Sequence, residues 1–206
     1  APDLPDEVRS SMHAGAVSLG RHLGYRGLGT VEYLFDRVRQ EFYFLEMNAR
    51  IQVEHPVTEL VAGLDLVALQ IAVAEGRSLS IAPADVRFSG HALECRITAE
   101  DWRNGFAPSP GTVTSARFPA GEGIRVDTHI EAGARVPPYY DSLLAKIIVH
   151  GRDRTQSVER MRRALANCQI EGVATNVAMH ALLLDDAQFL RGAADTSTLP
   201  RWLARQ

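Results

Sequence analysis

Hydrophobic and polar positions change their spacing several times along the chain, and each change predicts a different element. Over residues 6–23 the apolar side chains Val8, Met12, Ala16, Leu19 and Leu23 recur at helical intervals, and Gly24 follows. That pattern predicts a helix with a glycine stop. Residues 30–36 and 41–46 are aromatic-rich runs around a short polar loop, which predicts a β-hairpin. Residues 46–54 then alternate polar and apolar without a break. Read as one extended ribbon, the run turns Met47, Ala49, Ile51 and Val53 to the core and lines the other face with Glu46, Asn48, Arg50, Gln52 and Glu54. Pro56 opens an apolar-rich helix over residues 57–74, closed by Gly76, with the proline in the first turn where a missing N–H is harmless.

Beyond residues 78–86, which read as a connection, strand patterns dominate. Residues 91–100, 111–117, 124–130 and 143–149 are extended runs, separated by turn signals at Pro108-Ser109-Pro110-Gly111 and Pro137-Pro138-Tyr139-Tyr140-Asp141-Ser142. A helix follows over 156–167, capped by Thr155 or Asp153, with Val158, Met161, Leu165 and Ala166 on one face. Short helices at 177–184 and 199–204 complete an α+β organisation in two units, 1–86 and 87–206.

The polar face of the alternating run carries acid, amide, cation, amide and acid, followed by His55-Pro56. A solvated strand face seldom keeps such an order; these are metal-ligating, anion-binding and general-base groups. A hairpin loop centred near Arg39 puts Glu32 opposite Glu46. Two carboxylates facing each other across a ladder repel, and a hard cation held by both, together with substrate phosphates, reverses that repulsion. Asn48 adds a neutral oxygen on the same face. The alternative is that both acids are solvated at an edge.

Composition narrows the partners. The chain has 206 residues, is 46% hydrophobic, and has a formal net charge of −3. Basic residues are scattered, so nucleic acid is not expected. No run approaches the roughly 18 apolar residues of a membrane span, and the start of the chain has no signal-peptide pattern. Cys95 and Cys168 have neither metal nor disulfide-framework spacing, and the seven histidines are dispersed. A reduced, cytoplasmic protein is the expectation. Lys146 is the only lysine, within an apolar strand pattern, and residues 24–30 match no phosphate-binding glycine fingerprint.

The run from Glu46 to Glu59, with Gly90-His91-Ala92-Leu93-Glu94-Cys95-Arg96-Ile97-Thr98-Ala99-Glu100-Asp101, Pro108-Ser109-Pro110-Gly111 and Pro137-Pro138-Tyr139-Tyr140-Asp141-Ser142 in the same order, resembles biotin carboxylase. That enzyme is the ATP-grasp component of biotin-dependent carboxylases such as acetyl-CoA carboxylase. The resemblance covers essentially the whole chain and implies the C-terminal half of an ATP-grasp domain followed by a biotin carboxylase C-terminal domain.

It further implies ATP, Mg²⁺ or Mn²⁺, bicarbonate and carrier-bound biotin as the reactants and cofactors. Glu32, Glu46 and Asn48 fall on metal positions, with Glu32 and Glu46 beside the nucleotide phosphates. Arg50 matches the catalytic, bicarbonate-binding arginine, whose fork of donors suits a planar anion; Gln52 and the Val53 N–H complete that anion site. Glu54 matches the general base, and Arg96 the residue that contacts biotin and stabilises its ureido oxyanion. Without the resemblance, Arg96 reads first as a strand-end salt-bridge partner of Glu94 or Glu100. Asp141 reads either as a group orienting Arg96 or Arg50, or as part of a structural turn, and His55 as a locally bonded histidine.

The implied partners are a biotin carboxyl carrier protein or domain and a carboxyltransferase. A homodimer is possible, although Glu122 stands where many members carry an aromatic side chain. The glycine-rich lid, the upstream lysines and the N-terminal domain have no counterpart, so the isolated chain is expected to be inactive. Other readings remain open: another ATP-grasp ligase, or a non-catalytic module for dimerisation or carrier docking.

Overall fold

The computed structural model describes residues 4–206. In chain order the elements are α1 (Asp6–His22), β1 (Thr30–Asp36), β2 (Glu41–Asn48), α2 (His55–Ala62) and α3 (Leu66–Ala74). There follow β3 (His91–Thr98), β4 (Glu100–Asp101), β5 (Ala107–Pro108), β6 (Gly111–Thr112), β7 (Ser115–Arg117), β8 (Ile124–Thr128), β9 (Arg135–Val136) and β10 (Leu143–Gly151). The chain closes with α4 (Arg154–Ala166), β11 (Gln169–Glu171), α5 (Val177–Leu183), α6 (Ala187–Leu190) and α7 (Thr198–Leu203). Two units emerge: one takes in the chain up to His55 together with Gly63–Arg87, the other Pro56–Ala62 and Phe88–Gln206.

In the first unit, α1 begins with Asp6 and Glu7 and ends with Arg21 and His22, charges that oppose its macrodipole. Gly24, at φ 58°, ends the helix in the left-handed region open to glycine. The hairpin turns through Asp36, whose Oδ1 accepts the Val38 and Arg39 N–H groups at 2.8 and 3.1 Å. Tyr33 ties the hairpin to the helix, its hydroxyl donating to Met12 O at 3.2 Å and its ring standing edge-on to Phe42 at 5.2 Å.

Two expectations from the pattern fail here. The extended ribbon stops at Asn48, and residues 49–54 bend and turn into α2. The ladder ends because β1 offers no partner beyond Thr30, which pairs with Asn48. The single helix over 57–74 is two helices, broken at Gly63, whose φ of 66° an α-helix cannot accommodate. Asp65 restarts the backbone by accepting the Ala68 N–H at 2.8 Å.

The second unit is built on the antiparallel sheet β3-β10-β8. Its central strand β10 buries Ile147, Ile148 and Val149 completely, as expected for a strand covered on both faces. Helix α4 lays Val158, Met161, Ala164 and Leu165 on this sheet. Ala164, rather than the expected Ala166, faces the core, and Ala166 is exposed. Asp153 caps α4 by accepting the Gln156 N–H at 2.8 Å. A second cluster gathers Ala99, Val113, Ile130, Val136 and Leu144, and a third stacks Trp102 near Trp202, with Met179 beside them. The run 111–117 is not one strand: β6 pairs with β9 and β7 with β11.

Candidate active site

Glu32 of β1 pairs directly with Glu46 of β2. The register slips between Glu32 and Tyr33, because Tyr33 pairs with Phe44 and Leu45 is left over as a bulge. The bulge is what makes the two acids neighbours. An unbroken register from the hairpin turn would set Glu32 against Leu45 and turn Glu46 to the opposite face.

Around this pair the polar side chains form one hydrogen-bonded chain. Asn48 Nδ2 donates to Glu32 Oε1 at 2.9 Å and to Glu46 Oε1 at 3.0 Å. Gln52 Nε2 donates to the same Glu32 oxygen at 3.0 Å, and Arg50 Nη1 donates to Gln52 Oε1 at 3.2 Å and to Ile51 O at 3.1 Å. The bend after Asn48 makes this closure possible. On a straight strand Gln52 would lie about 13 Å beyond Asn48, out of reach of Glu32.

Val53 and Glu54 occupy the turn that leads into α2, with Glu54 exposed. His55 is bonded locally, its Nδ1 to Gln52 O at 2.8 Å.

The donor set suits a hard divalent cation. Two facing carboxylates share a single amide donor, and rotation of the Asn48 amide would present its oxygen in place of Nδ2. Among the described residues no three His, Cys, Asp or Glu side chains gather to hold a metal ion. Two acids and an amide leave further positions to be filled by oxygens of a phosphate ligand.

In the second unit, Arg96 lies on β3 with its side chain exposed, and its neighbour across the ladder is Lys146. Neither expected salt bridge to Arg96 forms. Glu100 instead accepts from Thr98 Oγ1 at 3.0 Å and Ser142 Oγ at 2.5 Å. Asp141 does not orient Arg96; its Oδ1 accepts the Leu143 N–H at 2.8 Å and holds the entry to β10.

Sequence reasoning missed two features of this unit. The first is an ionic chain. Buried Glu59 receives Arg125 Nη1 at 2.6 Å, and Arg125 grips Asp127 with Nε at 2.7 Å and Nη2 at 2.9 Å. Asp127 also takes Lys146 Nζ at 3.2 Å. The hydrogen bond to Asp127, more than that to Glu59, pushes the Arg125 guanidinium above its ordinary value. Burial would raise Asp127, but the bonds from Arg125 and Lys146 outweigh it and hold the carboxyl below its usual range. A lone lysine in an apolar strand was the available signal.

The second missed feature is the pair Asn176 and His180, whose side chains reach the backbone of Arg96. Glu122, the departure at the expected dimer contact, lines a cavity of about 520 Å³ with Arg117, Arg160 and Arg163.

Residues 94–201 match the model of the biotin carboxylase C-terminal domain, and residues 1–82 match that of the carbamoyl-phosphate synthase L chain ATP-binding domain. The chain belongs to the biotin carboxylase family. It is 46% identical over 197 residues to the biotin carboxylase of a Nostoc species and 46% identical over 199 residues to biotin carboxylase 1 of Bacillus subtilis. Those alignments cover 96% and 97% of this chain but 44% of each relative, so the chain spans less than half their length.

Solved family structures agree in fold. The biotin carboxylase domain dimer of Hydrogenobacter thermophilus 2-oxoglutarate carboxylase, in complex with MgADP, ADP and bicarbonate, superposes with a TM-score of 0.93 at 42% identity, covering 96% of this chain and 44% of that one. The Campylobacter jejuni biotin carboxylase gives 0.92 at 39%, covering 98% and 44%. The mixed helix-and-strand architecture is thus the C-terminal part of an ATP-grasp domain plus the family's C-terminal domain.

Proposed function

We propose that this chain is the C-terminal portion of a biotin carboxylase, which uses ATP and bicarbonate to carboxylate biotin on a carrier protein by way of carboxyphosphate. Residues 1–86 are the second half of the ATP-grasp domain and 87–206 the C-terminal domain. The observation that carries the reading is the hydrogen-bonded chain Arg50–Gln52–Glu32–Asn48–Glu46, which assembles metal-type and anion-type groups.

Glu32, Glu46 and Asn48 would hold Mg²⁺ or Mn²⁺, which when bound screens the ATP phosphates. Arg50, kept in place by Ile51 O and Gln52, offers its planar fork to bicarbonate, with Gln52 and the Val53 N–H as further donors. Glu54 takes the bicarbonate proton, freeing an oxygen to attack the γ-phosphate. Arg96 binds biotin and stabilises negative charge on its ureido oxygen.

A biotin carboxyl carrier and a carboxyltransferase complete the reaction. Among the described residues Cys95 and Cys168 are free thiols, and no single helix is long and apolar enough to cross a membrane, both compatible with a cytoplasmic setting.

ADP release that depends on bicarbonate and biotin tests the proposal, using the chain alone and then mixed with the N-terminal half of a biotin carboxylase. Turnover is expected only in the mixture and is expected to vanish in Glu54→Gln. Turnover by the chain alone, or a mixture indifferent to Glu54→Gln, would overturn it.

A further inference from the structure

Strand β3 lies at one edge of the sheet β3-β10-β8, so every second residue turns its N–H and C=O outward, away from β10. Arg96 and Thr98 are two such residues, and the Arg96 carbonyl and both outward groups of Thr98 are met from the start of α5. The buried Asn176 spans both: its Oδ1 accepts the Thr98 N–H at 3.0 Å and its Nδ2 donates to Arg96 O at 3.0 Å. The Asn176 N–H also points to Thr98 O at 3.4 Å. One carboxamide thus imitates a residue of an adjoining strand. One turn into α5, His180 Nε2 reaches the same Arg96 carbonyl at 2.9 Å.

Both acceptor positions of that carbonyl are therefore filled, whereas the Arg96 guanidinium has no hydrogen-bond or ion-pair partner among the described residues. The direction in which the side chain leaves the strand is set by its backbone, and the backbone is held from α5. We propose that Asn176 and His180 are positioning residues for Arg96, aiming its guanidinium at the biotin ureido group. The inference rests on the reading of Arg96 as the biotin-contacting residue. Neither side chain touches substrate; each acts through the Arg96 peptide.

The test has two parts. In the chain itself, amide hydrogen exchange at Thr98 should speed up at least about tenfold in Asn176→Ala, because its acceptor is gone, and stay slow in His180→Ala. In the chain fused to the N-terminal half of a biotin carboxylase, Asn176→Ala and His180→Ala should each raise KM for biotin or lower biotin-dependent kcat by about two- to tenfold, the worth of one hydrogen bond. KM for ATP and for bicarbonate should stay unchanged, which general damage to the fold would not allow. His180→Gln, which keeps a donor, should restore most of the loss.

Unchanged Thr98 exchange in Asn176→Ala would overturn the inference. So would unchanged biotin kinetics in both alanine variants while Arg96→Ala abolishes biotin-dependent turnover; in that case the role of Arg96 still stands. Full biotin-dependent turnover in Arg96→Ala would instead refute the role of Arg96, and the inference with it.

Discussion

Glu32 stands directly opposite Glu46 because Leu45 is left out of the ladder between them. The bulge swaps the face on which Glu46 emerges, and Asn48 then bridges the two carboxylates through one amide. Like charges placed directly opposite on a sheet destabilise it by roughly 0.2–1 kcal/mol. In metal-free buffer, Glu46→Gln should therefore stabilise the first unit by about that amount. Adding Mg²⁺ or Mn²⁺ should stabilise the parent chain and not the variant. Thermal melts of both proteins with and without the cations would check this; a variant less stable than the parent in metal-free buffer would contradict it.

The Glu59–Arg125 contact should matter more to stability than an ordinary surface ion pair. Glu59 is only 7% exposed, so removing Arg125 leaves a carboxylate in a desolvated position. Breaking a fully buried pair costs about 3–5 kcal/mol. Arg125 is itself 37% exposed, and solvent screening reduces the expectation for Arg125→Ala to about 1–3 kcal/mol. Glu59→Gln, which keeps an acceptor, should lose less. Urea denaturation of the two variants gives the comparison.

Two histidines should make the second unit sensitive to mild acid. Burial, reinforced by Arg154, lowers His91 below its ordinary 6.5. Burial also lowers His180, partly offset by its bond to Arg96 O. A histidine whose folded value is depressed binds a proton more readily when unfolded. Stability is then full above about pH 6.5 and falls as the pH drops through 6.5 toward the folded values. Asp127, held low, adds a loss of the same sign nearer pH 4 and below. Melting temperatures between pH 7.5 and 5.5 should decline, and the decline should be shallower in His180→Gln.

The two units should differ in resistance to opening. All three apolar clusters lie in the second unit, and neither α1 nor α3 fully buries a side chain. The hairpin leaves Leu34, Phe44 and Leu45 more than half exposed, and a two-stranded hairpin is marginal on its own. Amide exchange should be fastest in β1, β2 and α1 and slowest in β10. Equal protection throughout the chain would count against this picture.

Much of the local structure was legible from spacing alone. Helix α1, the hairpin, β3, β8, β10 and α4 sit close to where periodicity and turn residues put them, since local preference and burial agree there. The failures share a cause. The alternating run 46–54 has the pattern of a strand, but a strand needs a partner, and β1 supplies none past Thr30. The apolar run 57–74 has the composition of one helix, yet the positive φ at Gly63 splits it. Asn176 and His180 went unnoticed because their role depends on which strand edge they meet, more than seventy-five residues away in sequence.

The sequence by itself determined the family, the alternation of elements and the order of acid, amide and cation from Glu46 to Glu54, because these depend on residue type and short-range spacing. Only the tertiary structure decided that Leu45 bulges, that Gln52 folds back onto Glu32, and that Asn176 and His180 meet the Arg96 carbonyl while Asn176 also meets the outward groups of Thr98. Those outcomes turn on which hydrogen-bonding groups are left without a ladder partner once the strands pair. That is a property of the folded whole, since most backbone groups taken from water find a partner elsewhere in the molecule.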